Sequence, residues 1–251
     1  MMNKILVNRN EIRCECEGVI VGDNVITFVS DGEYDVEYGL IDKIDIVFRV
    51  RGCSVIIQES SFDNDLVVNN RYEIYNGKII VNKFYSNKSV RENISIFLNS
   101  IGDRIDYNFS SISRLEEYYE INVFHNCKNT ISNISNKAVS LKNSILNFVV
   151  NSSVYKECIQ SKLDQNTRIV TMGDSNCKIC PNMFIDVDDA YARHGSVIGT
   201  FKDDQVFYLM SKGISYNDAI KLLIKGFILG NEEITVDLRM RIINIIEMYW
   251  R

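Results

Sequence analysis

The chain of 251 residues has one proline, Pro181, and two histidines, His125 and His194. It has no apolar run near the roughly 20 residues that span a bilayer, so no membrane helix is expected. The start, Met1-Met2-Asn3-Lys4-Ile5-Leu6-Val7, turns polar too soon for a signal sequence. Basic residues number 28 and acidic residues 33, a net charge of −5. That balance lacks the attraction to phosphate of a basic nucleic-acid binder. No GxxxxGK[ST], GxGxxG, HExxH or GxSxG stretch occurs, so no phosphate loop, dinucleotide fingerprint, zincin helix or nucleophile elbow is at hand. Seven cysteines without a secretory signal predict free thiols in a reducing, cytoplasmic setting.

Apolar residues make up 46% and charged residues 24%, which excludes a disordered chain and suits one large domain, or one with an appendage. Asn and Ile are abundant, as in chains of short strands joined by polar turns. The first ~200 residues read as strands. Val19-Ile20-Val21 and Val25–Val29 flank the hairpin signal Gly22-Asp23-Asn24, and the segments 72–75 and 78–81 flank Asn76-Gly77. Short runs continue at 94–98, 104–109, 119–124, 138–141, 145–150, 168–172 and 183–187. No long helical pattern interrupts them, which argues against a βαβ fold. A sandwich, a barrel and a β-solenoid stay open, with even spacing and Asn-rich turns favouring the solenoid. No clean repeat period is visible.

The pattern changes after Gly199. Asp203-Asp204-Gln205 opens an apolar helix that Gly213 stops. Ser215 and Asp218 resemble a capping box before Ala219–Phe227. Ile234, Leu238, Ile242, Ile245 and Tyr249 then fall at spacings of three and four, an amphipathic helix ending at Trp250-Arg251. A β body over 1–200 and a helical module over 201–251 is the expected organisation.

Local chemistry is sparse. Cys14 and Cys16, and likewise His125 and Cys127, share a strand face, but buried packing is the simpler reading for each pair. Cys177 and Cys180 form a CxxC without a second pair, and on a straight strand they face opposite sides. They share an ion only if a turn runs through Gly173–Pro181. His194 sits where strands give way to helices, and Arg193 beside it would favour the neutral ring. The adjacent Asp188 and Asp189 are a weak basis for a β-solenoid carbohydrate-active enzyme, since neighbouring acids on a strand diverge.

The stretch from Pro181 to Gly199, Pro-Asn-Met-Phe-Ile-Asp-Val-Asp-Asp-Ala-Tyr-Ala-Arg-His-Gly-Ser-Val-Ile-Gly, resembles the SufB/SufD family of iron–sulfur cluster assembly proteins. The likeness continues through Asp204–Ser215 and into Ala219–Phe227. A fainter echo is His125-Asn126-Cys127-Lys128-Asn129-Thr130-Ile131-Ser132. Together these span roughly 119–230, and the first ~110 residues match only in being rich in strands. The resemblance implies a right-handed β-helix core with a small C-terminal α-helical domain. It implies a scaffold rather than an enzyme, served by a SufC-type ABC ATPase docked on the C-terminal helices. The second scaffold chain would be a SufB-type partner or another copy of itself.

SufB-type members carry a cysteine near Asn166 or Thr167 and a glutamate after the histidine, where this chain has Gly195. The His-Gly pair is similar to the SufD branch. By resemblance, a transient iron–sulfur cluster would involve His194, with Cys158 and Cys177 as candidate substitutes for the missing cysteine. Contacts with the ATPase are expected at Asp204, Phe207, Tyr208, Lys212, Gly213 and Ser215. An adaptor with no cluster of its own is the competing expectation. No nucleic acid and no membrane partner is expected.

Overall fold

The computed structural model describes residues 3–8, 11–39, 41–230 and 234–250. Arg251, expected at the end of the last helix, lies outside them. In chain order the strands are β1 (Asn3–Asn8), β2 (Glu11–Cys14), β3 (Val19–Val21), β4 (Val25–Phe28), β5 (Gly32–Tyr38), β6 (Lys43–Ile44), β7 (Val47–Arg51), β8 (Ser54–Phe62) and β9 (Asp65–Tyr75). They continue as β10 (Lys78–Ser86), β11 (Ser89–Leu98), β12 (Arg104–Ser113), β13 (Glu116–His125), β14 (Ile131–Leu141), β15 (Ile145–Val154), β16 (Ser161–Met172), β17 (Asn176–Ile185) and β18 (Ala190–Gly199). Three helices follow: α1 (Asp203–Ser211), α2 (Tyr216–Leu229) and α3 (Val236–Tyr249).

From β7 onward successive strands alternate between two sheets, and from β9 each pairs in parallel with the strand two places before it. That is a β-solenoid in which each coil gives one strand to each wall. Alternation places one face of every strand inside: Leu66, Val68, Tyr72 and Ile74 of β9, and Tyr119, Ile121 and Val123 of β13, are all buried. Each such side chain withdrawn from water contributes about 1.5–3 kcal/mol.

The missing repeat period has a structural cause. Lys78 pairs with Ser54 and Arg104, offsets of 24 and 26 residues, whereas Ile131 pairs with Arg104 and Lys162, offsets of 27 and 31. The coils stay in register through the strands while the corners change length. Asn76-Gly77 is one such corner, with Asn76 at φ +53°, and it joins strands of different sheets. The hairpin signal there is overruled, whereas the one at Gly22-Asp23-Asn24 does join the antiparallel pair β3 and β4.

Asparagine is abundant partly because it stacks between coils. Asn182 donates to Asn151 and Asn151 donates to Asn122, each at 2.8 Å, on three consecutive coils of one wall.

The helices lie on the outer face of the other wall. Ile112, Val139 and Val170, register partners on β12, β14 and β16, form a second core with Ile224, Ile228, Ile242 and Ile246. The guanidinium of Arg114 stacks over Tyr249, and Arg241 of α3 reaches Glu37 of β5 at 3.1 Å. Helix α1 opens on Asp203 and Asp204 and stops at Gly213, where φ is +84°. The Ser215 hydroxyl accepts from the Asp218 N–H, as the capping pattern predicts. Thr235 caps α3 in the same way. Among the described residues no helix is long and apolar enough to cross a membrane.

Candidate functional site: the open end of the solenoid

Among the described residues the last coil, β17 and β18, has a neighbouring coil on one side only. The positions that are buried in earlier coils are open here. By register His194 follows Gln165, Ser196 follows Thr167 and Ile198 follows Ile169 on the lumen-facing side of the wall. Gln165, Thr167 and Ile169 are buried, whereas His194, Ser196 and Ile198 are exposed. Phe184, Tyr191 and Val197 are also exposed, at 60%, 59% and 55%. Apolar side chains and unpaired main-chain groups at a sheet edge are both left facing solvent here.

Arg193 does not sit against the His194 ring. Neighbours on a strand diverge, and Arg193 turns to the Asp164 carboxylate one coil below. The expectation that Arg193 keeps His194 neutral therefore has no contact behind it. Of the two positions, Asn166 or Thr167, near which SufB-type members carry a cysteine, Asn166 pairs with Gly195 and Thr167 with Ser196.

The cysteines are scattered. Cys177 and Cys180 both lie inside the straight strand β17, so the turn needed for a shared ion is absent and the CxxC reading is corrected. Cys177 faces inward, donating to the Ser140 hydroxyl at 3.2 Å. It lies five residues, about 17 Å of strand, before Asn182, which stands opposite Gln165 and hence near His194. Cys158 is buried in a corner against Val154, Leu163 and Met183, and burial pushes its thiol up. The structure thus does not gather Cys158, Cys177 and His194. Cys14 and Cys16 are half-buried at the opposite end of the solenoid, packed against the main core. Among the described residues no three His, Cys, Asp or Glu side chains converge to hold a metal ion.

His125 explains the fainter motif. Its ring is buried in a corner with Nδ1 at 2.7 Å from the Thr130 hydroxyl and Nε2 at 2.9 Å from that of Ser132. Asn129, between them, takes a left-handed φ of +60°. Burial pushes the ring down to about 4. Cys127 instead donates to the carbonyl of Asn99 at 3.2 Å. This histidine is a structural staple.

A cluster that the sequence reading did not single out fills the lumen. Lys83 Nζ lies 2.6 Å from Glu59 and 2.5 Å from Glu92, all fully buried. Tyr85 and Tyr72 donate to Glu59 at 2.6 and 3.3 Å. Burial opposes the Lys83 charge, but the two carboxylates outweigh it and hold the amine above its ordinary range. Glu117, one coil on, accepts from Ser111 and Tyr119 at 3.0 Å, and burial raises it to about 7. Its signal was charge at an inward position, since Glu59 shares a strand face with Val55 and Ile57. The rings of Phe109, Tyr119 and Phe148 pack between this cluster and the open end, Tyr119 stacked on Phe148 and tilted against Phe109.

The second exposed surface is α1, which buries none of its residues. Phe207 and Tyr208 are 68% and 62% exposed. Asp204, Lys212, Gly213 and Ser215 stand exposed around them, and Lys212 lies over the Tyr208 ring. Phe207, Tyr208 and Leu222 are all exposed, so none of the three is packed inside the helical module. A cavity of about 890 Å³ runs between this helix and the solenoid, lined by Met172, Phe201, Val206, Phe207, Met210 and Trp250 among others.

Comparison with known proteins places this architecture. Residues 55–227 match the family described as SUF system FeS cluster assembly, SufBD core domain. The match begins well upstream of the ~119 suggested by motifs, so the earlier coils belong to it too. The chain is 36% identical over 69 residues to an iron–sulfur cluster assembly SufBD family protein of Pyrococcus horikoshii, covering 27% of this chain and 16% of that protein. It is 30% identical over 95 residues to the iron–sulfur cluster assembly protein SufD of Bacillus subtilis, covering 35% and 21%. To SufB of the same organism it is 28% identical over 108 residues, covering 42% and 23%. The chain therefore spans less than a quarter of the length of these relatives. With its family match covering well over half of its residues and its walls built as a β-solenoid, the chain belongs to the SufB/SufD family of iron–sulfur cluster assembly proteins.

Proposed function

We propose that this protein is a SufD-like, or minimal SufBD-type, subunit of a cytoplasmic cluster-assembly scaffold. Its open last coil pairs with a SufB-type chain or with a second copy, and α1 docks a SufC-type ATPase. The observation that carries this reading is the last coil, which presents His194 and an apolar rim at an unpaired edge. Asn166 or Thr167, near which a SufB-type chain would have its thiol, and Gly195, where it would have a carboxylate, favour the SufD-like role.

His194 offers one imidazole nitrogen. The cluster is cargo rather than a resident cofactor, and its remaining ligands come from the partner chain or from sulfide. The chain itself binds, orients and shields; chemical energy enters through the ATPase. Phe207 and Tyr208 supply apolar anchors of the kind that dominate binding energy at interfaces.

Anaerobic reconstitution with iron and sulfide, on the chain alone and mixed with a SufB-type chain, tests the site. A visible absorption band that is lost in His194→Ala supports the reading. Complex formation without any band makes the protein an adaptor. For the docking surface, Phe207→Ser with Tyr208→Ser is expected to leave stability within about 0.5 kcal/mol, because both rings are exposed. The same change should weaken capture by the ATPase at least tenfold, measured by calorimetry. Unchanged capture sinks the docking role.

A further inference from the structure

Gln165 lies in the floor of the open lumen, one coil below His194 and in register with it. Its side chain is 1% exposed. The amide nitrogen donates to the Ser152 hydroxyl at 2.8 Å and to the main-chain carbonyl of Asn182 at 3.2 Å. A carbonyl can only accept, so this contact settles which end of the amide is nitrogen. The oxygen, Oε1, is buried and has no partner among the described residues. An orphaned buried acceptor costs free energy unless a donor arrives.

Asn182 belongs to the last coil, so the amide nitrogen of Gln165 reaches across the lumen to the coil that carries His194. Paired residues of parallel strands point to the same side, so the His194 side chain projects over that amide. The imidazole is the titratable group that the strand register stacks directly on Gln165. Arg193 points away, and Ser196 stands over Thr167 instead.

We propose that Gln165 is the positioning residue of His194: the exposed imidazole, which does not touch Oε1 in the structure, turns onto it, so that Oε1 accepts one ring N–H and the other ring nitrogen, with its lone pair, is directed out of the lumen towards the interface. A histidine that binds a metal through one nitrogen commonly donates from the other to a fixed acceptor, which sets tautomer and ring orientation. Here the acceptor is neutral, so it orients the ring without adding charge to the cargo site. The choice of iron as the group met by the free nitrogen rests on the function proposed above; the hydrogen bond itself does not.

With only two histidines, nitrogen-15 spectra of the full chain resolve both rings, and buried His125 serves as the internal standard. The expected result is a hydrogen-bonded His194 N–H that disappears in Gln165→Met while the His125 signals stay put. A His194 spectrum identical in wild type and Gln165→Met overturns the proposal, as does a wild type with no bonded N–H on that ring. Should Gln165→Met fail to fold, His194→Ala reads the same contact from the other side. That residue is exposed, and its loss must shift the Gln165 side-chain amide resonances; unmoved resonances overturn the proposal. Iron uptake separates the two ideas. If the hydrogen bond is real and His194 is a ligand, Gln165→Met binds iron about 10–100-fold more weakly. If the bond is seen but His194→Ala keeps full iron uptake, the positioning stands and the ligand role falls.

Discussion

Burial does opposite things to two residues of the solenoid, and pH separates them. Glu117 is held near 7 in the native lumen, against about 4.5 when unfolded. Between those values the native state keeps a proton that the unfolded state has released, so stability falls as pH rises from 4.5 through 7. The difference is about 3 kcal/mol in size. In Glu117→Gln that decline is expected to vanish, as read from urea midpoints on either side of the window. His125 acts the other way. Its native value of about 4 lies below the ordinary 6.5, so its contribution is lost as pH falls through that interval. In His125→Phe the acid-side loss should disappear, although the Thr130 and Ser132 hydroxyls left behind will lower stability at every pH. A third residue, Lys83, stands between two buried carboxylates. Lys83→Met should cost about 3–5 kcal/mol, since it strands two buried charges. Changing Glu59 and Glu92 to Gln in the same protein should cost less than Lys83→Met alone, as measured by chemical denaturation.

Elements are held in register by corners and ladders more than by any repeat in the chain. Gly77 shows the tolerance of a corner. A methyl group there would lie 2.7 Å from the carbonyl oxygen of Cys53 in the coil below. Gly77→Ala is expected to destabilise by about 1–3 kcal/mol, read as a lowered denaturation midpoint. The strands were legible from alternation, and the helices from caps and spacing of three and four. What alternation leaves open is which sheet a strand joins. Two strands separated by Asn-Gly read as a hairpin because the turn chemistry is local, whereas pairing between coils joins residues some 22 to 31 positions apart. Pro181 is an element-scale detail of the same kind. It lies within β17, an edge strand, where a missing N–H is tolerated.

At the scale of the whole molecule the two ends differ. One end finishes in β2 and β3, short strands turned antiparallel, with the charged Glu11 and Arg13 on β2. Such features blunt an edge. The other end is the open coil with its apolar rim. A rod with one blunt and one open end closes after a single pairing, so the proposed association stops at two chains instead of growing into a fibre. Sedimentation of the chain, alone or with its partner, should show one discrete pair. Val197→Lys on the open coil should return it to single chains with its denaturation midpoint unchanged, because Val197 is exposed.

Composition, alternation and the long motif around His194 determined the family, the strand-rich body and the helical tail, because each depends on residues close together in the chain. They also singled out His194 and the exposed positions of α1. Only the tertiary structure decided that the two cysteines of the CxxC face apart, that His125 is sealed in a corner and that Gln165 stands beneath His194. It also decided that Lys83 is clasped by Glu59 and Glu92. These relations join residues from different coils, and the corners vary in length, so no spacing along the chain announces them. Stacking the coils turns distant residues into neighbours, and that step is what converts a list of polar side chains into a floor, a staple and an open edge.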